Sequence, residues 1–238
     1  MFRLTTFGAV ALESDHGPLA RAAVRRLPLA LLAFVGAAGV HGVSRDKVLA
    51  YFWPESDLAH ARNCLKQVLF VLRHDLGCEL FLPGCGTLRL NPAVLTIDCA
   101  EFERADDARA YRQMAELYRG PFLDGFHLNG VPEFERWMEA ERERAAYRYQ
   151  AALEALAAEA ERSGDPVETV RWWRRLAEHD PLSSRIAKGL VRALVAADDP
   201  AGARRRAELH QRLLREELGG APDPAWSSVL AGARSVRV

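Results

Sequence analysis

The sequence predicts a mainly α chain with a small β component, changing character near Asp98. Three observations carry that prediction. Before Asp98, short alternating or apolar runs are divided by turn residues, as in Phe2-Arg3-Leu4-Thr5 and Thr87-Leu88-Arg89-Leu90. After Asp98, the chain is rich in Ala, Glu, Arg and Leu and has helical periodicity almost throughout. Third, the breaks Gly164-Asp165-Pro166 and Asp198-Asp199-Pro200 stand 34 residues apart. That is the period of tetratricopeptide-type helix pairs, which stack into a solenoid.

The elements follow in order. Met1 to Gly8 alternates apolar and polar residues as a half-buried strand does, and Val10 and Leu12 continue into a second strand. Asp15-His16-Gly17-Pro18 is a turn. A helix runs from about Arg25 to Ala38, with Gly39 and Gly42 after it. Ser44 caps a short helix, Arg45 to Phe52, which Pro54 stops. Asp57 caps a third helix from Leu58 to Leu76, ended by Gly77. Glu79-Leu80-Phe81-Leu82, Pro83-Gly84-Cys85-Gly86 and Thr87-Leu88-Arg89-Leu90 then read as strand, tight turn, strand.

Beyond Asp98 one helix is expected over Cys99–Leu117, followed by an aromatic-rich break from Tyr118 to Phe126. A long helix starts at Pro132 or Glu133 and reaches Arg162, and shorter ones cover about Val167–Glu178, Leu182–Ala196 and Ala201–Leu218. Pro222-Asp223-Pro224 marks the stretch Gly219 to Val238 as prone to fray. The expected domains are a winged helix-turn-helix over 1–97 and an all-α, tetratricopeptide-like repeat over 98–238.

The third helix carries the chemistry. Leu58, Ala61, Leu65, Val68, Leu69, Leu72 and Leu76 form one apolar stripe. The opposite face holds His60, Asn63, Lys66, Gln67, Phe70 and His74, flanked by Arg62 and Arg73, and meets no acid until Asp75. Amide side chains pair bidentately with adenine, Lys66 can donate to guanine or phosphate, and Arg62 and Arg73 suit backbone phosphates. Arg89 on the hairpin either enters an adjacent minor groove or is a plain surface residue. The candidate DNA-binding residues are therefore Arg62, Asn63, Lys66, Gln67, Arg73, His74 and Arg89. Phe70 reads as a packing or interface residue rather than a base contact, and Trp137, Trp172 and Trp173 read as core or repeat-packing groups.

Composition narrows the function classes. The chain is 49% apolar and 27% charged, with a net charge of zero, which is ordinary globular usage. Residues 1–97 hold 10 Lys and Arg against 7 Asp and Glu (+3), and the remainder holds 22 against 25 (−3), so any nucleic-acid surface belongs to the first part. The most apolar stretch, Leu27 to Val40, is about 14 residues and contains Pro28, short of the roughly 20 that span a bilayer. Cys64, Cys78, Cys85 and Cys99 lack Cys-x-x-Cys spacing, so reduced cytosolic thiols are expected rather than a metal site. There is no phosphate-binding Gly-rich loop, no Gly-x-Ser-x-Gly and no His-Glu-x-x-His, so neither an enzyme nor a cofactor is expected. His127 near Asp124 is the one acid–base pair worth weighing, and a structural role is the simpler reading.

The chain resembles the bacterial transcriptional activators called antibiotic regulatory proteins, which join an OmpR-type winged helix to a bacterial transcriptional activation domain. In the first part the resemblance rests on Phe2-Arg3-Leu4 with Phe7-Gly8, on Leu29-Ala30-Leu31-Leu32-Ala33-Phe34, and on Val43-Ser44-Arg45-Asp46-Lys47-Val48-Leu49 before Phe52-Trp53-Pro54. It continues with Ala61-Arg62-Asn63-Cys64-Leu65-Lys66-Gln67 and Val71-Leu72-Arg73-His74-Asp75-Leu76-Gly77. In the second part it rests on Asp98 with Glu101-Phe102, on Leu117-Tyr118-Arg119-Gly120-Pro121-Phe122-Leu123, and on Glu133-Phe134-Glu135-Arg136-Trp137. The wing departs from the usual Gly-Tyr-Arg-Leu ending and keeps only the arginine, Arg89.

The resemblance implies a cytoplasmic, sequence-specific activator of repeated promoter half-sites. Its implied partners are double-stranded DNA and RNA polymerase, the latter met by the loop Trp53–Asp57, and it implies a homodimer formed through the helical domain. No receiver domain is expected ahead of the winged helix. The competing reading is a protein-interaction scaffold whose winged helix no longer binds DNA; Phe70 and the modest +3 charge favour that one.

Overall fold

The structure is a computed structural model that describes residues 1–15, 19, 25–84, 86–219 and 226. The expected turn at His16-Gly17-Pro18, Cys85 at the wing tip, and the C-terminal stretch apart from Gly219 and Trp226 lie outside the described residues. The chain divides into two compact units, Met1–Arg148 and Tyr149–Val238.

The first unit is built around β1 (Phe2–Thr5). It pairs antiparallel with β2 (Ala11–Ser14), Leu4 opposite Leu12, and its sequence alternation appears as alternating burial. On its other side lies a strand that the sequence reading did not contain, Leu95–Ile97, which pairs with β1 in parallel, Leu4 opposite Ile97. β1 ends at Thr5 rather than Gly8 for a chemical reason. The amides of Thr6 and Phe7 donate to the Asp98 carboxylate, at 2.8–3.0 Å, instead of to a neighbouring strand. The Thr6 hydroxyl and the Cys99 amide donate to the same carboxylate, which is 4% exposed. Just beyond, Leu123 donates to the Thr6 carbonyl and Phe7 bridges to Phe122, so the aromatic-rich break docks on the end of β1. Arg142 holds that break in place by donating to the carbonyls of Phe122 and Leu123. Burial, with the Asp98 charge alongside, pushes the Cys99 thiol well above its ordinary pKa, so it stays protonated and unreactive.

The helices of this unit form largely where the sequence places them. α1 (Arg26–Ala37) is buried at every position from Pro28 to Gly36, as an all-apolar run requires. β3 (Val43–Ser44) leads into α2 (Arg45–Phe52), whose cap Ser44 accepts from the Lys47 amide. α3 (Leu58–Leu76) starts at Asp57, which accepts from the His60 amide at 2.9 Å, and stops at Gly77 in the left-handed conformation, φ 65°.

One expectation gains a partner and one is corrected. The hairpin does form, with Leu82 donating to Arg89, Asn91 donating to Leu80 and Phe81 bridging Leu90. Its second arm, β4 (Thr87–Leu88), however, finds its strand partner in β3, Val43 opposite Leu88. The parallel strand Leu95–Ile97 is thus β5. The single helix expected over Cys99–Leu117 is two, α4 (Asp98–Asp107) and α5 (Tyr111–Leu117). Arg109, at φ 54°, turns the chain between them after Asp106 and Asp107, whose charges oppose the helix C-terminal dipole.

α6 (Pro132–Ser163) leads into the second unit, where α7 (Pro166–His179), α8 (Ser184–Ala196) and α9 (Pro200–Leu218) pack in sequence order. The 34-residue repeat has a physical basis. Gly164 and Asp198 both adopt positive φ, 69° and 57°, and end a helix. Asp165 and Asp199 then cap the next one, accepting from the amides of Val167, Glu168 and Gly202, with proline at the first helical position each time. Trp172 is buried, as expected of a repeat-packing residue.

Gly189 is the tightest point in this unit. A β-carbon there would lie 2.3–2.6 Å from the Trp173 ring, whose indole N–H is fixed by donation to Glu161 at 2.8 Å. In an exposed helix Gly→Ala gains about 1 kcal/mol from propensity alone. Here the clash outweighs it, and Gly189→Ala should destabilise the chain by about 1–2 kcal/mol in urea unfolding. Adding Trp173→Leu should recover part of that loss; a stabilised Gly189→Ala would remove the steric account.

The fold is mainly α with a small β component: an N-terminal winged helix-turn-helix followed by an all-α helical repeat. Among the described residues no helix is long and apolar enough to cross a membrane.

Candidate nucleic-acid interface

The candidate surface is the outer face of α3. Ala61, Leu65, Val68, Leu72 and Leu76 are buried, Leu69 is half-buried, and Leu58, at the first turn, is exposed. The stripe read from the sequence therefore does anchor the helix, except at its N-terminal residue. The burial fixes which residues face outward. An α-helix advances about 100° per residue, so Asn63, Gln67, Phe70 and His74 fall within about 40° of one line, opposite the buried stripe. Lys66, Arg73 and Arg62 follow along one flank of that line. All seven are exposed, and no exposed residue of α3 is acidic. A helix of this kind presents amide and cationic donors to an electronegative partner without a repelling carboxylate.

Two of the candidates have partners within the chain. Arg73 forms an ion pair with Glu79 at 2.8 Å, both side chains more than half exposed, and His74 lies 3.0 Å from Asp75. An exposed pair such as Arg73–Glu79 contributes less than about 1 kcal/mol, so a phosphate can displace Glu79 from Arg73. Arg62, Asn63, Lys66 and Gln67 form no ion pair among the described residues.

Arg89 stands apart from α3, on the wing. Its exposed side chain lies over Gly42, where an added β-carbon would sit 2.3 Å from Arg89 Cγ and 2.3 Å from the Leu88 carbonyl oxygen. Gly42 has φ 65°, so only glycine lets the turn before β3 pass this close beneath the wing. The β3–β4 pairing that fixes the wing to the start of α2 was missed by sequence reasoning. Its signal was the pair Val43-Ser44, in which Ser44 has the extended backbone of a helix cap. Between α3 and the wing runs a groove of about 360 Å³, lined by Leu69, Phe70 and Arg73 on one side and Phe81 and Pro83 on the other.

Of the two roles expected of Phe70, packing and interface, the structure removes the first: it is 67% exposed and its ring stacks on that of His74, centroids 5.8 Å apart. His127 is also placed differently: its ring faces Glu135, at 3.6 Å, rather than Asp124, and it is exposed. No group of His, Cys, Asp and Glu suited to a metal ion occurs among the described residues.

Residues 98–231 match the family described as bacterial transcriptional activator domain. Among solved structures, the chain is similar to Mycobacterium tuberculosis EmbR in complex with a low affinity phosphopeptide, with a TM-score of 0.60 and 18% sequence identity. That similarity covers 98% of this chain and 65% of the EmbR chain, and at this identity it concerns the fold. No curated sequence matches the chain. The matched segment, 98–231, is more than half of the chain, and the chain belongs to the bacterial transcriptional activator domain family, a family of transcriptional regulators.

Proposed function

We propose that this regulator acts as a cytoplasmic, sequence-specific activator that reads promoter half-sites with an OmpR-type winged helix. The observation that carries the reading is the acid-free, donor-rich outer face of α3, directly opposite its buried stripe. Asn63 and Gln67 read adenine edges in the major groove, and Lys66 reads guanine or holds phosphate. Arg62 and Arg73 take phosphates on the flank, and Arg89 carries the wing toward the adjacent groove. The loop Trp53–Asp57, between α2 and α3, meets RNA polymerase, and the helical repeat domain joins two copies so that paired half-sites are read together. The reading needs no cofactor.

The test is binding of the full-length chain to duplex DNA selected from a random pool, repeated across a salt series, with sedimentation of the same complexes. With about four phosphate contacts per reader, affinity should fall about a hundredfold between about 50 and about 200 mM salt. Selected sites should contain two half-sites bound by two chains. A folded chain that selects no sequence at any salt would replace this reading with the protein-interaction scaffold.

A further inference from the structure

Among the side chains at the centre of the α3 face, Phe70 is the one that does not match its hydrogen-bonding neighbours. Asn63 and Gln67 offer amides, while Phe70 offers only a hydrocarbon ring. It stands two turns beyond Asn63 and about 20° from it around the axis, at the crest of the helix. Among the described residues it is 67% exposed, and the one ring it stacks on is that of His74, 5.8 Å away. A ring within about 20° of the line opposite the buried stripe, beside Asn63 and His74, faces base edges when the helix enters the major groove.

The major-groove edges of the four base pairs offer donors and acceptors, and one apolar group, the C5-methyl of thymine. Resting on the proposed DNA-reading role, we infer that Phe70 is a specificity-determining residue that reads thymine through that methyl, with the His74 ring fixing its orientation. The neighbouring amides fit the same composition. An adenine read by Asn63 or Gln67 is paired with a thymine whose methyl projects into the same groove. Two amides and one phenyl ring on one crest therefore select an A·T-rich half-site rather than a G·C-rich one.

The experiment uses the full-length chain and a duplex selected by it from a random pool. Each thymine of the half-site is replaced in turn by deoxyuridine, which removes only the C5-methyl. Binding is compared for the native chain and for Phe70→Ala, with thermal unfolding of both. The native chain should lose about fourfold in affinity at one or two thymines, the effect of exposing one buried methyl. Phe70→Ala should be indifferent at those thymines, and its unfolding temperature should equal the native one because the ring is exposed. Equal losses in both proteins would mean that the methyl acts through DNA shape or another residue, and the inference fails. So would no loss anywhere in a native chain that binds its selected site. If the native chain selects no DNA, the DNA-reading role itself fails and the inference falls with it, a distinct result from binding without methyl sensitivity.

Discussion

A chain carrying Asn63→Ala, Lys66→Ala and Gln67→Ala together should lose about a thousandfold in affinity for its selected site while remaining folded. Each good base contact contributes roughly 1–3 kcal/mol of discrimination, and tenfold in affinity corresponds to about 1.4 kcal/mol, so three modest contacts amount to about three decades. All three side chains are exposed on α3, and none packs against the core. Alanine is the best helix former, so thermal stability should stay level or rise slightly. Binding to unrelated DNA should weaken far less, because the flanking Arg62, Arg73 and Arg89 remain. If Lys66 holds a phosphate, the slope of log affinity against log salt should drop by about 0.9. Loss of stability along with binding would move these residues from the reading surface to the fold. Full retention of sequence-specific binding would place the reader elsewhere on the chain.

That prediction depends on α3, the element most completely legible in the sequence. Its cap, its stripe and its terminating glycine are all local signals, and each formed as read except that Leu58 at the start of the stripe is exposed. What lay beyond reach was non-local. β5 has alternating, β-branched residues, but its partner β1 is more than 90 residues away, and nothing local says that they pair in parallel. The same holds for the wing, whose second arm pairs with β3, across the whole of α2 and α3. The break at Arg109 was hidden for another reason: no glycine or proline marks it, so the helical period reads straight through.

The candidate site divides along the same line. The direction in which Asn63, Lys66, Gln67 and Phe70 project follows from 3.6 residues per turn, and it was legible. The exposure of Phe70 was not, because periodicity cannot tell an apolar residue that meets a partner element from one that meets none. Nor was the Arg73–Glu79 ion pair, since it depends on how the chain leaves Gly77.

Asp98→Ala should cost about 4 kcal/mol of stability, far more than any surface change, although the sequence marks Asp98 only as the point where the chain changes character and as part of the family resemblance. Its carboxylate accepts from the amides of Thr6, Phe7 and Cys99 and from the Thr6 hydroxyl, in a site that is 4% exposed. Alanine removes every acceptor at once. Water has no access to replace them, and each buried donor left unpaired costs roughly 1–3 kcal/mol. The loss also reaches beyond α4, because the Thr6 carbonyl receives Leu123 and Phe7 packs edge-on against Phe102 and Phe122. Asp98→Asn keeps one acceptor oxygen but turns an amide toward donors, so it should cost about half as much. Urea unfolding of the three proteins measures both values, and an Asp98→Ala loss below about 1 kcal/mol would show that the bonds from these four donors do not hold this junction together. Because Asp98 is buried at the joint of β1 and α4 and α3 carries the reading face, Asp98→Asn should still bind the selected DNA normally wherever it is folded. Stability lost with affinity kept would separate the residue that holds the scaffold from the residues that read.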